Sequence, residues 1–229
     1  MTTTELHWLS RVLRVTLMVG FATLSLFAQT KQTKMETASP TSKEAKPSTR
    51  FTEKDREMVI NQLKGSWDRL NQAVAGLSEA QLKFKSAPEK WSIADCVEHL
   101  THAEDFFYKL VTNTVIKSPI TPDKENKATD EKFITLVNDR NQKMQAPDPI
   151  KPTGKWSTVE ETLQELDKRR SRTIEFVKNT NEDLRSHFHA FPGRDPIDGV
   201  QWVLLISAHC DRHIAQINEV KTNPNFPKN

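Results

Sequence analysis

Ala208-His209-Cys210-Asp211-Arg212-His213-Ile214-Ala215-Gln216 sets two histidines four residues apart in a long periodic run near the C-terminus. Residues i and i+4 lie one above the other on a helix face, so both imidazoles can aim at a single point. At 100° steps Val203, Ile206, Cys210, Ile214 and Ile217 share one arc, with His209 and His213 inside it or at its border. Asp211, Arg212, Asn218 and Glu219 lie opposite. The spacing predicts a helix from about Ile197 to Lys221 whose two histidines face an interior.

The same periodicity recurs upstream. Thr52 and Asp55 form a capping arrangement ahead of Met58, Ile60, Leu63, Trp67, Leu70 and Val74, with Gly76 as the stop. Leu77-Ser78-Glu79-Ala80-Gln81-Leu82 carries a Ser-x-x-Gln box and predicts a short helical turn. Ser92, with Asp95 three residues on, caps a second long helix whose arc holds Ile93, Cys96, Val97, Leu100, Ala103, Phe107, Leu110 and Val111. His99 falls at the edge of that arc and His102 on its solvent side. A shorter helix within Lys127–Met144 precedes an irregular crossing marked by Pro147, Pro149, Pro152 and Gly154. Ser157-Thr158-Val159-Glu160 reads as the capping box of a third long helix with core positions Val159, Leu163, Leu166, Ile174 and Val177. Only six glycines and 28% charged residues in 229 point away from a sheet with tight turns and toward an all-α chain.

The N-terminus differs. Arg11 and Arg14 precede or flank an apolar run from Val12 to Ala28 that ends on a small residue, the pattern of a secretory signal peptide over residues 1–28. The alternative is an uncleaved membrane anchor at residues 12–28. Residues 29–50 are polar and aperiodic and read as a disordered linker, so the folded domain is expected over residues 51–229. An exported, periplasmic or secreted protein follows, with no membrane partner for the mature domain unless the anchor is kept. Net charge is +3 without a basic block, which disfavours nucleic acid. Cys96 and Cys210 both project from apolar faces and read as buried thiols, a disulfide between them being the alternative.

Two inward histidines on one helix and one on another make a three-imidazole set across a bundle, which leaves a coordination position open as catalytic metal sites do. Nearby candidates for moving protons are Asp95, Glu98, His102 and Gln216, and Gln216 could also orient a ligand histidine. Trp91 and Trp202 are either pocket walls or core anchors. His187 and His189 lie in the connector before the last helix.

Trp91-Ser92-Ile93, Glu98-His99-Leu100 and the distant His209-x-x-x-His213-Ile214-Ala215-Gln216 together resemble the DinB-like superfamily, which includes bacillithiol S-transferase-like proteins. The resemblance runs from about Phe51 to Lys221. It implies a four-helix bundle with a long crossover connection and extra short helices. It also implies a divalent transition metal held by His99, His209 and His213 in a cleft at one end, with zinc or nickel ahead of iron or manganese. The implied activity is a metal-dependent hydrolase or thiol transferase acting on a small molecule, in a chain that can pair as a homodimer. The alternative is a non-catalytic metal- or ligand-binding bundle. Export sets this chain apart, because the low-molecular-weight thiols of the transferase members are cytoplasmic. N-terminal sequencing of the protein recovered outside the cytoplasm should begin at Gln29; a sequence beginning upstream of Val12 means that the anchor is retained.

Overall fold

The computed structural model describes residues 50–142 and 145–228. The predicted export segment and, apart from Arg50, the linker lie outside the described residues. Helix α1 spans Glu53–Val74, the short α2 Glu79–Lys83, α3 Ile93–Asn113, α4 Asp130–Asn138 and α5 Val159–Asn179. Two-residue strands β1 (Phe188–His189) and β2 (Ile197–Asp198) then lead into α6, Gly199–Lys221. Among the described residues no helix is long and apolar enough to cross a membrane.

Local chemistry sets the helix starts. Thr52 with Asp55, Ser78 with Gln81 and Ser92 with Asp95 each form a reciprocal capping box that satisfies amides the helix leaves unpaired. For α5 the cap lies one residue later than expected. Thr158 accepts from the Glu161 amide at 3.1 Å, and the Glu161 carboxylate accepts from the Ser157 amide at 3.0 Å. The Thr129 cap and the turn at Asp139 confine α4 to part of the expected span. Its end is stabilised by Arg212, whose guanidinium donates to the carbonyls of Val137 and Asp139. The connector before α6 is also more ordered than the sequence reading allowed, because β1 and β2 pair antiparallel there. Helix α6 therefore begins at Gly199 rather than Ile197. A Cβ on Gly199 would lie 2.8 Å from the Leu184 carbonyl oxygen, so this contact admits only glycine.

Helices α1, α3, α5 and α6 form an all-α four-helix bundle. Around the ring α1 touches α5 and α6, and α3 touches the same two, so the consecutive long helices α1 and α3 sit on a diagonal. The long crossover between α3 and α5 carries α4, which packs on the outside of α6.

The core has two apolar layers. One holds Val59, Leu63, Val111, Val177 and Leu204; the other holds Leu70, Val97, Leu100, Leu166 and Ile217. Between them lies a buried polar layer that the sequence reading missed. Arg170 of α5 donates from Nε to Glu104 Oε2 of α3 at 3.0 Å, and from Nη1 to the Leu63 carbonyl (2.6 Å) and Ser66 Oγ (2.8 Å) of α1. Thr173 Oγ1 donates to Glu104 Oε1 at 2.8 Å, and Cys210 Sγ of α6 donates to the Ser66 carbonyl at 3.5 Å. This layer turns α5 slightly from the expected stripe: Thr162, Arg170 and Thr173 are buried while Val159, Leu163 and Ile174 pack on its flanks. Cys96 and Cys210 remain free, buried thiols.

A second ionic cluster fastens the far ends of three helices. Arg185 reaches Asp55 in the first turn of α1 (2.6 Å), Asp130 in the first turn of α4 (2.6 Å) and Asp198, the α6 cap (3.1 Å). Each carboxylate suits a helix N-terminus, and the guanidinium offsets their mutual repulsion. Truncating Arg170 to Ala leaves the Glu104 carboxylate buried and uncompensated. Chemical denaturation should register a loss of about 3–5 kcal/mol, far above that of the exposed-pair variant Lys83→Ala.

Candidate metal centre

The three histidines selected from the sequence meet in the structure. Their ligand atoms lie within 4.8 Å of one another. His99 Nε2 is 3.1 Å from His209 Nε2, which is in turn 3.1 Å from His213 Nε2. Helix α6 supplies two rings by its i,i+4 spacing, and α3, its neighbour in the ring, supplies the third.

Their protons decide what the cluster can do. His99 Nδ1 lies 2.7 Å from the Ile150 carbonyl, which can only accept, so Nδ1 carries the hydrogen and Nε2 presents a lone pair to the cluster. Burial pushes the His99 pKa down to about 4, opposed by the hydrogen bond to Ile150 and assisted by the nearby His102. Burial likewise holds His209 and His213 well below the ordinary histidine value, reinforced by the neighbouring histidines and by Arg212, with Arg140 also acting on His213. The rings are therefore neutral. Two 3.1 Å contacts meet at the single His209 Nε2, and with His99 Nε2 unprotonated at most one of them can be a hydrogen bond between neutral rings. The other sets like-signed atoms together. A cation at the centre removes that conflict. Tetrahedral coordination with N–metal bonds of 2.0–2.1 Å requires nitrogens about 3.3–3.4 Å apart, close to the two 3.1 Å spacings that meet at His209. The donor set fits a divalent metal.

Aromatic walls enclose the cluster. Trp91, one residue before the α3 cap, lies 4.7 Å from the His99 ring and 5.9 Å from that of His213, nearly parallel to the latter. Phe107 meets His209 edge-on at 5.7 Å. Trp91 is thus a wall of the site, whereas Trp202 is buried against Phe191 in the core.

The remaining candidates separate. Asp95 is committed to the Ser92 amide and to Lys85. Gln216 accepts from Arg140 at 3.2 Å, and the oxygen that orients a histidine is instead the backbone carbonyl of Ile150. His187 pairs with the Ser118 carbonyl and His189 lies beside Trp202. Both lie near the start of α6, about ten residues or 15 Å of helix from His209. His102 is only partly exposed rather than facing solvent: it packs against Trp156 at 5.2 Å, with Glu98 3.4 Å away. Ile150 carried no sequence signal, since a carbonyl in a proline-rich crossing is not encoded by its side chain.

A sequence profile described as the DinB superfamily matches residues 62–217. The uncharacterized protein YuaE of Bacillus subtilis (strain 168) is 27% identical over 156 residues, covering 68% of this chain and 90% of YuaE. A solved structure, YfiT from Bacillus subtilis, is described as a probable metal-dependent hydrolase with an unusual four-helix bundle topology. It is 18% identical, with a TM-score of 0.48, and the match covers 77% of this chain and 91% of YfiT.

The neutral rings make the metal-free fold acid-sensitive. An unfolded histidine binds a proton near pH 6.5, whereas folded His99 resists until about pH 4. Its contribution is fully present above pH 6.5 and is lost as pH falls through that window. Denaturant titrations of chelator-treated protein should show this decline, and His99→Gln should make it shallower than in the wild type.

Proposed function

The chain belongs to the DinB superfamily, and on that premise we propose that it is an exported, metal-dependent hydrolase of a small molecule. In this reading His99, His209 and His213 hold one divalent transition ion. One observation carries it: three neutral imidazole nitrogens converge, with the tautomer of His99 fixed by Ile150 so that its lone pair faces the other two.

Three neutral ligands leave the ion's charge undiminished and a position open, so when bound it supplies Lewis acidity toward water or a substrate oxygen. The chain's own groups then divide the remaining work. His99 is locked as an Nδ1–H donor to Ile150 and moves no proton. Trp91 stacks on the His213 ring and leans against that of His99, which shields that side of the cluster from water. Neither cysteine is a nucleophile: burial pushes Cys96 up to about 12 and Cys210 up to about 11, so both stay thiols at neutral pH. Covalent catalysis through a protein thiolate is therefore disfavoured, and any thiol chemistry would need a thiol from the substrate. The export segment supports hydrolysis over transfer, because cytoplasmic low-molecular-weight thiols are scarce beyond the membrane.

The mature domain purified without chelators should carry about one transition-metal ion per chain by elemental analysis, and His213→Ala should lose it. Turnover of a panel of ester, amide and phosphoester substrates should disappear with the ion. A wild-type domain without stoichiometric metal ends this reading.

A further inference from the structure

Glu98 immediately precedes His99 on α3 and is only 7% exposed. A carboxylate so enclosed needs partners, and they come almost entirely from one short segment of the crossover. Oε1 accepts from the backbone amides of Thr153 (2.8 Å) and Lys155 (3.0 Å) and from the Thr153 hydroxyl (3.0 Å). Oε2 accepts from the Gly154 amide at 3.0 Å. Three successive amides converge on one anion because Gly154 takes a φ of +72°, which folds the backbone into a concave nest.

The same segment supplies the carbonyl that orients His99. Ile150 is buried, sits in a 3-10 turn spanning Asp148–Ile150, and places its oxygen 2.7 Å from His99 Nδ1. Pro152 limits the backbone freedom between this carbonyl and the nest, and Pro149 that of the turn holding Ile150. One strap of chain therefore grips two consecutive residues of α3: at Ile150 it fixes the ring of His99, and at Thr153–Lys155 it is held by Glu98.

We propose that Glu98 is a positioning residue of the histidine cluster, acting through the crossover strap to keep the Ile150 carbonyl on His99 and so to select the tautomer whose Nε2 is free. Its consequence for metal affinity rests on the reading given under Proposed function; its consequence for the tautomer does not. Partners of this kind orient a ligand ring and set its basicity, and their loss weakens metal binding about 10–100-fold.

Nitrogen-15 NMR of histidine-labelled, metal-free protein reads the tautomer directly. Wild-type His99 should be wholly Nδ1–H, and Glu98→Ala should populate the Nε2–H form. Glu98→Gln, which presents an amide donor where the nest offers donors, should do so to a smaller degree. Thr153→Val removes a single bond and keeps the test open if Glu98→Ala does not fold. Competition titration with zinc should show the 10–100-fold loss for Glu98→Ala, with unchanged helical circular dichroism. A His99 tautomer unmoved in the folded variants overturns the proposal. A shifted tautomer in a protein whose wild type binds no zinc overturns the metal reading and leaves the positioning role standing.

Discussion

The buried pair of Arg170 and Glu104 is the constraint on which the remaining architecture depends. Isolated charges do not enter an apolar core; this pair does because each remaining polar position meets a partner on a different helix. Arg170 also donates to α1, Thr173 completes Glu104 from α5, and α6 joins through the contact of Cys210 with the Ser66 carbonyl. Apolar side chains tolerate sliding of one helix along another. A buried ion pair with directional bonds does not, so the polar layer selects one axial register for the four helices.

The histidine cluster uses that register. His209 is the neighbour of Cys210, and His99 lies five residues before Glu104, so the layer and the cluster share α3 and α6. A displacement by one helical turn, about 5.4 Å, would separate nitrogens that now stand 3.1 Å apart. Charge is handled oppositely in the two places. The layer keeps full charges by pairing them, whereas the cluster holds neutral bases and concentrates lone pairs where a cation fits.

Local chemistry was the legible part of the sequence. The capping boxes at Thr52, Ser78 and Ser92 involve residues three apart, so their signal is complete within four positions. Periodicity likewise separated His99 from His102. It failed where burial is polar: at 100° steps Glu104 and Arg170 fall inside the apolar arcs of α3 and α5, but a pattern that counts only apolar side chains passes over them and sees no partner on another helix. The same blindness misplaced the α5 stripe. Backbone-mediated features had no signal at all, among them the Ile150 carbonyl and the pairing of β1 with β2. Trp91 was ambiguous for another reason, since an aromatic ring serves a core and a site wall with the same composition.

Cys96 and Cys210 have a consequence beyond packing. Both are enclosed in the apolar layer beside the histidines, and neither forms a disulfide. The fold therefore draws none of its stability from oxidation. Its packing requires no oxidant, and while folded it shields both thiols from the redox poise of the surroundings.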